Sequence, residues 1–170
     1  MKEVMYNEYA KEALTGLQKG AFLNVRNGEE DNTMTIAWGS LGFIWRKPVL
    51  MVMVRYSRHT YEMIEKSGEF TVSIPIDAEL KKAIGLCGSL SGANVDKWSE
   101  ANITKEEAQT INAPIVGECE LHYECKVVCR MPLEEEMIDP SLVESCYKNG
   151  NYHVLYYGEI LKTYIKQKGE

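Results

Sequence analysis

In Ile115-Val116-Gly117-Glu118-Cys119-Glu120-Leu121-His122-Tyr123-Glu124-Cys125-Lys126-Val127-Val128-Cys129-Arg130-Met131, apolar side chains recur at every second position. Ile115, Cys119, Leu121, Tyr123, Cys125, Val127, Cys129 and Met131 take the odd places, and Glu118, Glu120, His122, Glu124, Lys126 and Arg130 take even ones. Side chains alternate across a strand, so this period of two predicts one long strand with a dry face and a wet face. Such a strand needs partners, and the rest of the chain supplies them. Pro48-Val49-Leu50-Met51-Val52-Met53-Val54-Arg55 is short and continuously apolar, the pattern of a strand buried on both faces. Phe70, Val72, Ile74 and Ile76 alternate with Thr71, Ser73 and Pro75, which is again strand periodicity.

Further strands are expected over 21–26, 33–38 and 152–165, with tight turns at Asn27-Gly28 and Asn149-Gly150, where positive φ is tolerated. Helices are expected to be few and short. Residues 6–17 carry charges at helical spacing, and 60–66 form a helix closed by Gly68 in the left-handed conformation. A third helix starts with Asp77 as its cap and places Leu80, Ala83, Ile84 and Cys87 on one face. Thr104 to Glu107 has capping-box spacing, and Asp139-Pro140 opens a last short helix. Six or more strands without regular crossover helices favour a closed antiparallel barrel over a doubly wound sheet.

The chain has 170 residues, with Lys plus Arg 19 against Asp plus Glu 25 and a net charge of −6. With no linker and no internal repeat, one domain over 1–170 is expected. At 45% hydrophobic and 26% charged, the composition excludes a disordered or fibrous chain. The apolar run 49–54 is far short of a bilayer span, and the first twenty residues lack the apolar core of a secretory signal, so a cytoplasmic protein without a membrane partner is expected. An acidic chain without a basic block argues against nucleic acid. Five cysteines, an odd number, read as reduced thiols. Cys119, Cys125 and Cys129 fall on the dry face of the long strand while His122 points away, so no metal site is expected. A dinucleotide fingerprint is absent from the sequence.

Three segments carry chemistry. Arg55-Tyr56-Ser57-Arg58-His59-Thr60 leaves an apolar strand and enters a helix, offering two guanidinium groups, hydroxyls and the free amides of a helix start. Those are the parts a phosphate needs. The alternative is that Ser57 or Thr60 merely caps the helix while the arginines lie in solvent. Asn32 to Ser40 is a strand rich in small and hydroxylated residues, against which a flat ligand could lie with Trp38 packed on it; the alternative is a plain strand with a core tryptophan. Gly88 to Trp98 is a Gly/Ser loop running into Asp96-Lys97, able to wrap a ligand or to be only a loop.

In order and spacing these segments resemble the flavin reductase-like, FMN-binding split-barrel family that contains flavoredoxin. The resemblance runs from about Gly20 to Lys162. It rests on Asn32-x-x-Thr35-x-Ala37-Trp38, Lys47-Pro48 before the buried strand, Arg55-x-Ser57-Arg58-x-Thr60, Ser67-Gly68-Glu69-Phe70, Ser91-Gly92 with Asp96-Lys97, and Gly158-Glu159-Ile160. It implies a mainly β fold, a Greek-key split barrel with a few peripheral helices, forming a homodimer with FMN near the interface. Carried over by position, Arg55, Ser57, Arg58 and Thr60 would hold the phosphate. Thr33, Met34, Thr35, Ala37 and Trp38 would line the isoalloxazine, and Ser91, Gly92 and Lys97 would close over it, with Lys97 stabilising charge on the reduced ring. Ser40 stands where some relatives carry cysteine, and His153 matches a histidine often found before the family's last strand.

The function so implied is that of an FMN-dependent oxidoreductase, passing electrons between NAD(P)H or a protein donor and a flavin, a small acceptor or a redox protein partner. The reading from another class is a non-catalytic module that binds FMN or another phosphorylated ligand. The pyridoxamine-phosphate oxidase barrels share the architecture but match the motifs less well.

Overall fold

The computed structural model describes residues 1–166. The chain runs through β1 (Lys2–Glu3), α1 (Ala10–Lys19), β2 (Ala21–Asn27), β3 (Glu30–Ile36), β4 (Gly39–Ile44), β5 (Lys47–Arg55), α2 (His59–Ser67), β6 (Glu69–Ile74), α3 (Lys81–Ser89), α4 (Lys97–Glu100), β7 (Lys105–Glu106), β8 (Ile115–Val116), β9 (Leu121–Pro132), α5 (Pro140–Cys146) and β10 (His153–Ile165), with a 3-10 turn over Glu135–Met137. One antiparallel sheet has the order β3-β2-β6-β9-β10-β5-β4, with β1 added to β10. The path starts at β3 and stops at β4, which share no ladder, so the barrel is split along that seam rather than closed.

Alternation along the strands makes two apolar clusters. Leu23, Val25, Met34 and Ile36 face the barrel interior with Val52, Val72, Tyr123 and Tyr156, closed by Leu17 of α1 and Met63 of α2. Phe22, on the other face of β2, packs with Ala83 and Cys87 of α3, Trp98 of α4 and Cys119. The face expected of α3 is thus retained, although the helix begins at Lys81 with Leu80 at its cap position rather than at Asp77. Gly68 ends α2 at φ 66°, as its place in the sequence required. Asp139 caps α5 through its bond from the Ser141 amide.

Several expectations are corrected. The single strand over 115–131 is two: β8 pairs with β7, the chain turns at 117–120, and β9 begins at Leu121. Cys119 therefore sits in the turn, and Cys129 is partly exposed, so the three cysteines do not share one dry face. The even positions are wet only toward the end of β9, where Lys126 and Arg130 are exposed; His122 and Glu124 are not. Glu124 is fully buried and accepts from the amides of Gln109, Thr110 and Ile111 at 2.7, 2.8 and 3.2 Å. His122, equally buried, lies between Ser73 Oγ and the Cys119 carbonyl, both at 3.0 Å. Polar side chains accept burial once backbone groups satisfy them, and here they fasten the loop 104–120 to the sheet. The capping box at Thr104 fails for the same reason. Glu118 takes the Thr104 amide and Glu107 pairs with Arg26, leaving 105–106 as a strand. β1 and β4 are additions to the predicted strands, and α1 starts at Ala10, later than expected. Among the described residues, no helix is long and apolar enough to cross a membrane.

Candidate functional site

β3 is an edge strand, so one side of its backbone is free of sheet pairing along the seam. There a cleft of about 180 Å³ opens, lined by Met34, Thr35, Ile36, Ala37 and Trp38 on one side and Met53, Arg55, Arg58 and His153 on the other. Trp38 is 44% exposed, an unusual state for an indole, and stands 5.3 Å from the His153 ring. Thr35 is turned the other way, its hydroxyl donating to the Ile84 carbonyl at 2.6 Å.

A recess of about 60 Å³ adjoins the cleft, sharing Met34 and Arg58 with it. Into it open the first turn of α2, Ser89 at the end of α3, Ser91 and Gly92 of the loop that follows, and Lys97 at the start of α4. No side chain caps α2. Thr60 Oγ1 instead accepts from Asn32 Nδ2 at 2.8 Å, and Ser57 Oγ accepts from Asn151 Nδ2 at 2.7 Å. The reading of either hydroxyl as a helix cap does not describe this helix. Its free amides and the positive end of its dipole face the recess. Gly92 is set by close approach, since a Cβ there would collide with the buried Asn32 side-chain amide.

Two cations border the same recess. Arg58 donates to the Gly88 carbonyl at 3.0 Å and Lys97 to the Cys87 carbonyl at 3.1 Å, at the C-terminal end of α3. Among the described residues neither pairs with a carboxylate, so their positive potential is not neutralised. Lys97 is only 5% exposed, and burial first, then the nearby Arg58, push its ammonium down to about 8. It is still charged at neutral pH.

Arg55 belongs to the cleft rather than to the recess. It donates to the carbonyls of Cys146, at 3.1 Å, and Asn151, and its guanidinium lies 5.1 Å from the centre of the Tyr147 ring. His153 shares a 2.8 Å hydrogen bond through Nδ1 with the Tyr147 hydroxyl. Burial first, then Arg55 and Arg58, push the imidazole down to about 4, so it is neutral at pH 7.

Of the sequence-predicted residues, the structure gathers Ser57, Arg58, Thr60, Ser91, Gly92 and Lys97 at the recess, and Met34, Thr35, Ala37, Trp38 and Arg55 at the cleft. Lys97 thus neighbours Arg58 rather than Trp38. Thr33 is fully buried and lines neither cavity. Ile36, Met53, Asn32 and Ser89 are additional lining residues, and His153 gains a definite place. Met53 and His153 arrive through pairing, because β10 sets His153 opposite Arg55 and Leu155 opposite Met53. The available signal was the two-residue step from Met53 to Arg55, which puts them on one face.

A family model described as flavin reductase like domain matches residues 21–170. The chain belongs to that family. An uncharacterised protein of Archaeoglobus fulgidus is 34% identical over 107 residues, which is 63% of this chain and 59% of that protein. The crystal structure of flavoredoxin from Methanosarcina acetivorans is similar with a TM-score of 0.67 and 28% identity, covering 88% of this chain and 69% of that one. An FMN-binding domain of a flavin reductase-like enzyme from Shewanella baltica shares the fold with a TM-score of 0.71 at 22% identity, covering 96% of this chain and 76% of that one. The fold of this flavin reductase-like chain is accordingly the split barrel, and its family membership supports flavin binding of the reductase type.

Proposed function

We propose that the joined cleft and recess bind FMN and that the protein is an FMN-dependent oxidoreductase. It would pass electrons between NAD(P)H or a protein donor and a flavin, a small acceptor or a redox protein partner. The observation that carries this reading is the uncapped start of α2 flanked by two cations without carboxylate partners, opening directly beside a cleft walled by an exposed tryptophan. The residues fit the group. A phosphate needs amide donors and unneutralised positive charge, which Arg58, Lys97 and the α2 amides offer. A planar ring needs an apolar slot and backbone edges, which Met34, Met53, Trp38 and the unpaired side of β3 offer. When bound, FMN supplies the electron-accepting and electron-donating chemistry; the chain binds it, orients it and sets its electrostatic surroundings.

The second half of the reading is a homodimer. Met53, Leu155 and Met131 form one cross-strand row and Met51, Tyr157 and Cys129 the next, on the outer face that also carries Arg55 and His153. The β4–β5 hairpin extends this face, with Phe43 62% and Trp45 57% exposed. Trp45 and Arg46 hold positive φ of 53° and 60° at the hairpin tip, a two-residue turn usually given to Asn and Gly. A second copy of the chain seated on this face would cover it and border the cleft. Light scattering on the purified protein is expected to give twice the mass of the chain.

The test of function is a titration with FMN and, in parallel, with riboflavin. FMN is expected to bind at least tenfold more tightly, and Arg58→Met to abolish most of that difference, since a charge-assisted hydrogen bond contributes about 1.5–3 kcal/mol. Bleaching of the bound flavin by NADH or NADPH identifies an enzyme using a nicotinamide donor. A protein indifferent to both flavins refutes the proposal, and one that binds FMN without any turnover is the non-catalytic module.

A further inference from the structure

His153 is a buried titratable group that the binding of a flavin leaves without a task. It is 7% exposed, lines the cleft and touches the Trp38 ring. Its Nδ1 meets the Tyr147 hydroxyl at 2.8 Å, while its Nε2 bonds no protein atom among the described residues. The proton that the pair shares can lie in two ways, and the surroundings of Tyr147 separate them. That phenol is 6% exposed, and its one hydrogen-bond partner among the described residues is His153. If Nδ1 carried the imidazole hydrogen, the hydroxyl hydrogen would be buried with no acceptor, a costly state. If the hydroxyl donates to Nδ1, both groups are satisfied and the imidazole hydrogen sits on Nε2.

Tyr147 is held firmly enough to impose this choice. Its ring stacks on Tyr152 at 5.0 Å, meets His153 edge-on at 5.5 Å and lies over the Arg55 guanidinium. Arg55 also grips the carbonyls of Cys146 and Asn151 on either side of it in the chain. We propose that Tyr147 is a positioning residue that fixes His153 as the Nε2–H tautomer, so that the ring presents one neutral hydrogen-bond donor to an oxygen of the planar ligand seated against Trp38. This rests on the flavin reading of the cleft for the ligand, but not for the tautomer.

The experiment uses the ligand-free protein, ¹⁵N-labelled at histidine, and long-range ¹H–¹⁵N spectra at neutral pH. His153 is expected as the Nε2–H form. Tyr147→Phe keeps the ring and its stacking, and is expected to shift the tautomer ratio by roughly fivefold or more, the effect of one hydrogen bond of ordinary net strength. Tyr152→Phe removes a hydroxyl that bonds Glu135 and is expected to leave the ratio alone. Unchanged His122 signals in each variant report an intact fold. A wild-type Nδ1–H form, or a ratio insensitive to Tyr147→Phe, overturns the proposal. Riboflavin then serves as the probe, since its oxygens lie on the ring and ribityl chain without a phosphate. Its binding, read by flavin fluorescence, is expected to move the His153 Nε2 proton downfield. Binding without that movement overturns the ligand half of the proposal. Failure of riboflavin and FMN to bind at all refutes the flavin reading, and with it that half, while the tautomer result stands by itself.

Discussion

Replacing His122 by Gln is expected to remove one of the two histidine contributions to the protein's loss of stability between pH 7 and pH 5, the other being that of His153. His122 is fully buried, and burial pushes its imidazole from an ordinary 6.5 down to about 4. The Cys119 carbonyl, which accepts from Nε2, opposes that burial only in part, and Lys166 adds a smaller push downward. Ser73 Oγ faces Nδ1 while accepting from the Val116 amide and from Asn24, so its own hydrogen is left for the imidazole. The sign follows from proton counting. Between about pH 4 and 6.5 the unfolded chain binds a proton at this histidine and the folded chain does not, so stability falls as the pH falls through that window. Full displacement corresponds to about 3 kcal/mol at 1.36 kcal/mol per unit, of which about 2 kcal/mol is lost by pH 5. Urea unfolding of wild type and H122Q at the two pH values gives the comparison, and a side-chain NMR titration gives the native imidazole's midpoint directly. H122Q is less stable at pH 7, because it disturbs a satisfied buried network, but its further loss on acidification should be smaller by about 2 kcal/mol. Equal losses in the two proteins, or a native midpoint near 6.5, would refute the reasoning.

Three other outcomes follow from the same structure. Gly92→Ala places a methyl group against Asn32 Oδ1 and forces the Asn32–Thr60 bond to shift, so thermal melting should show a loss of about 1–3 kcal/mol and FMN affinity should fall with it. Glu124→Ala leaves the amides of residues 109–111 without their acceptor, and limited proteolysis is expected to cut near residue 110 far faster than in wild type. Because the Lys97 ammonium is pushed down to about 8, FMN binding should weaken as pH rises from 7 to 9, and Lys97→Met should bind weakly throughout with little such dependence. A variant with unchanged affinity but a lowered flavin reduction potential would instead place the ammonium beside the ring.

The barrel was legible because its strands carry their own signature. The apolar run 48–55 is a strand as its pattern required, the alternation 70–76 is a strand as far as Ile74, and the turn expected at Asn27-Gly28 lies one residue on, at Gly28-Glu29, with Asn27 closing β2. β4 escaped because Gly39-Ser40-Leu41-Gly42-Phe43-Ile44 has two glycines and exposed apolar residues, and it exists through its ladder to β5. The long strand was over-read at its start. Glu118, Glu120 and Glu124 look solvated on a list, yet each accepts backbone amides from another segment, a use that no period of two reveals.

Part of the recess was legible in Ser57-Arg58-x-Thr60, whose helix start and guanidinium are local features, while Ser91, Gly92 and Lys97, expected from the resemblance to close over the ring, line the recess beside Arg58. Local spacing carries the first of these. What the sequence could not divide was labour among those residues. Arg55 and Arg58 are three positions apart, yet β10 pairing turns Arg55 to the Cys146–Asn151 carbonyls while α3 draws Arg58 and Lys97 to its carboxyl end. His153 acquires its place only because β10 lies beside β5 and α5 delivers Tyr147 to its Nδ1. Which face a strand buries, and which carbonyl a cation finds, depend on partners distant in the chain, and only tertiary packing chooses them.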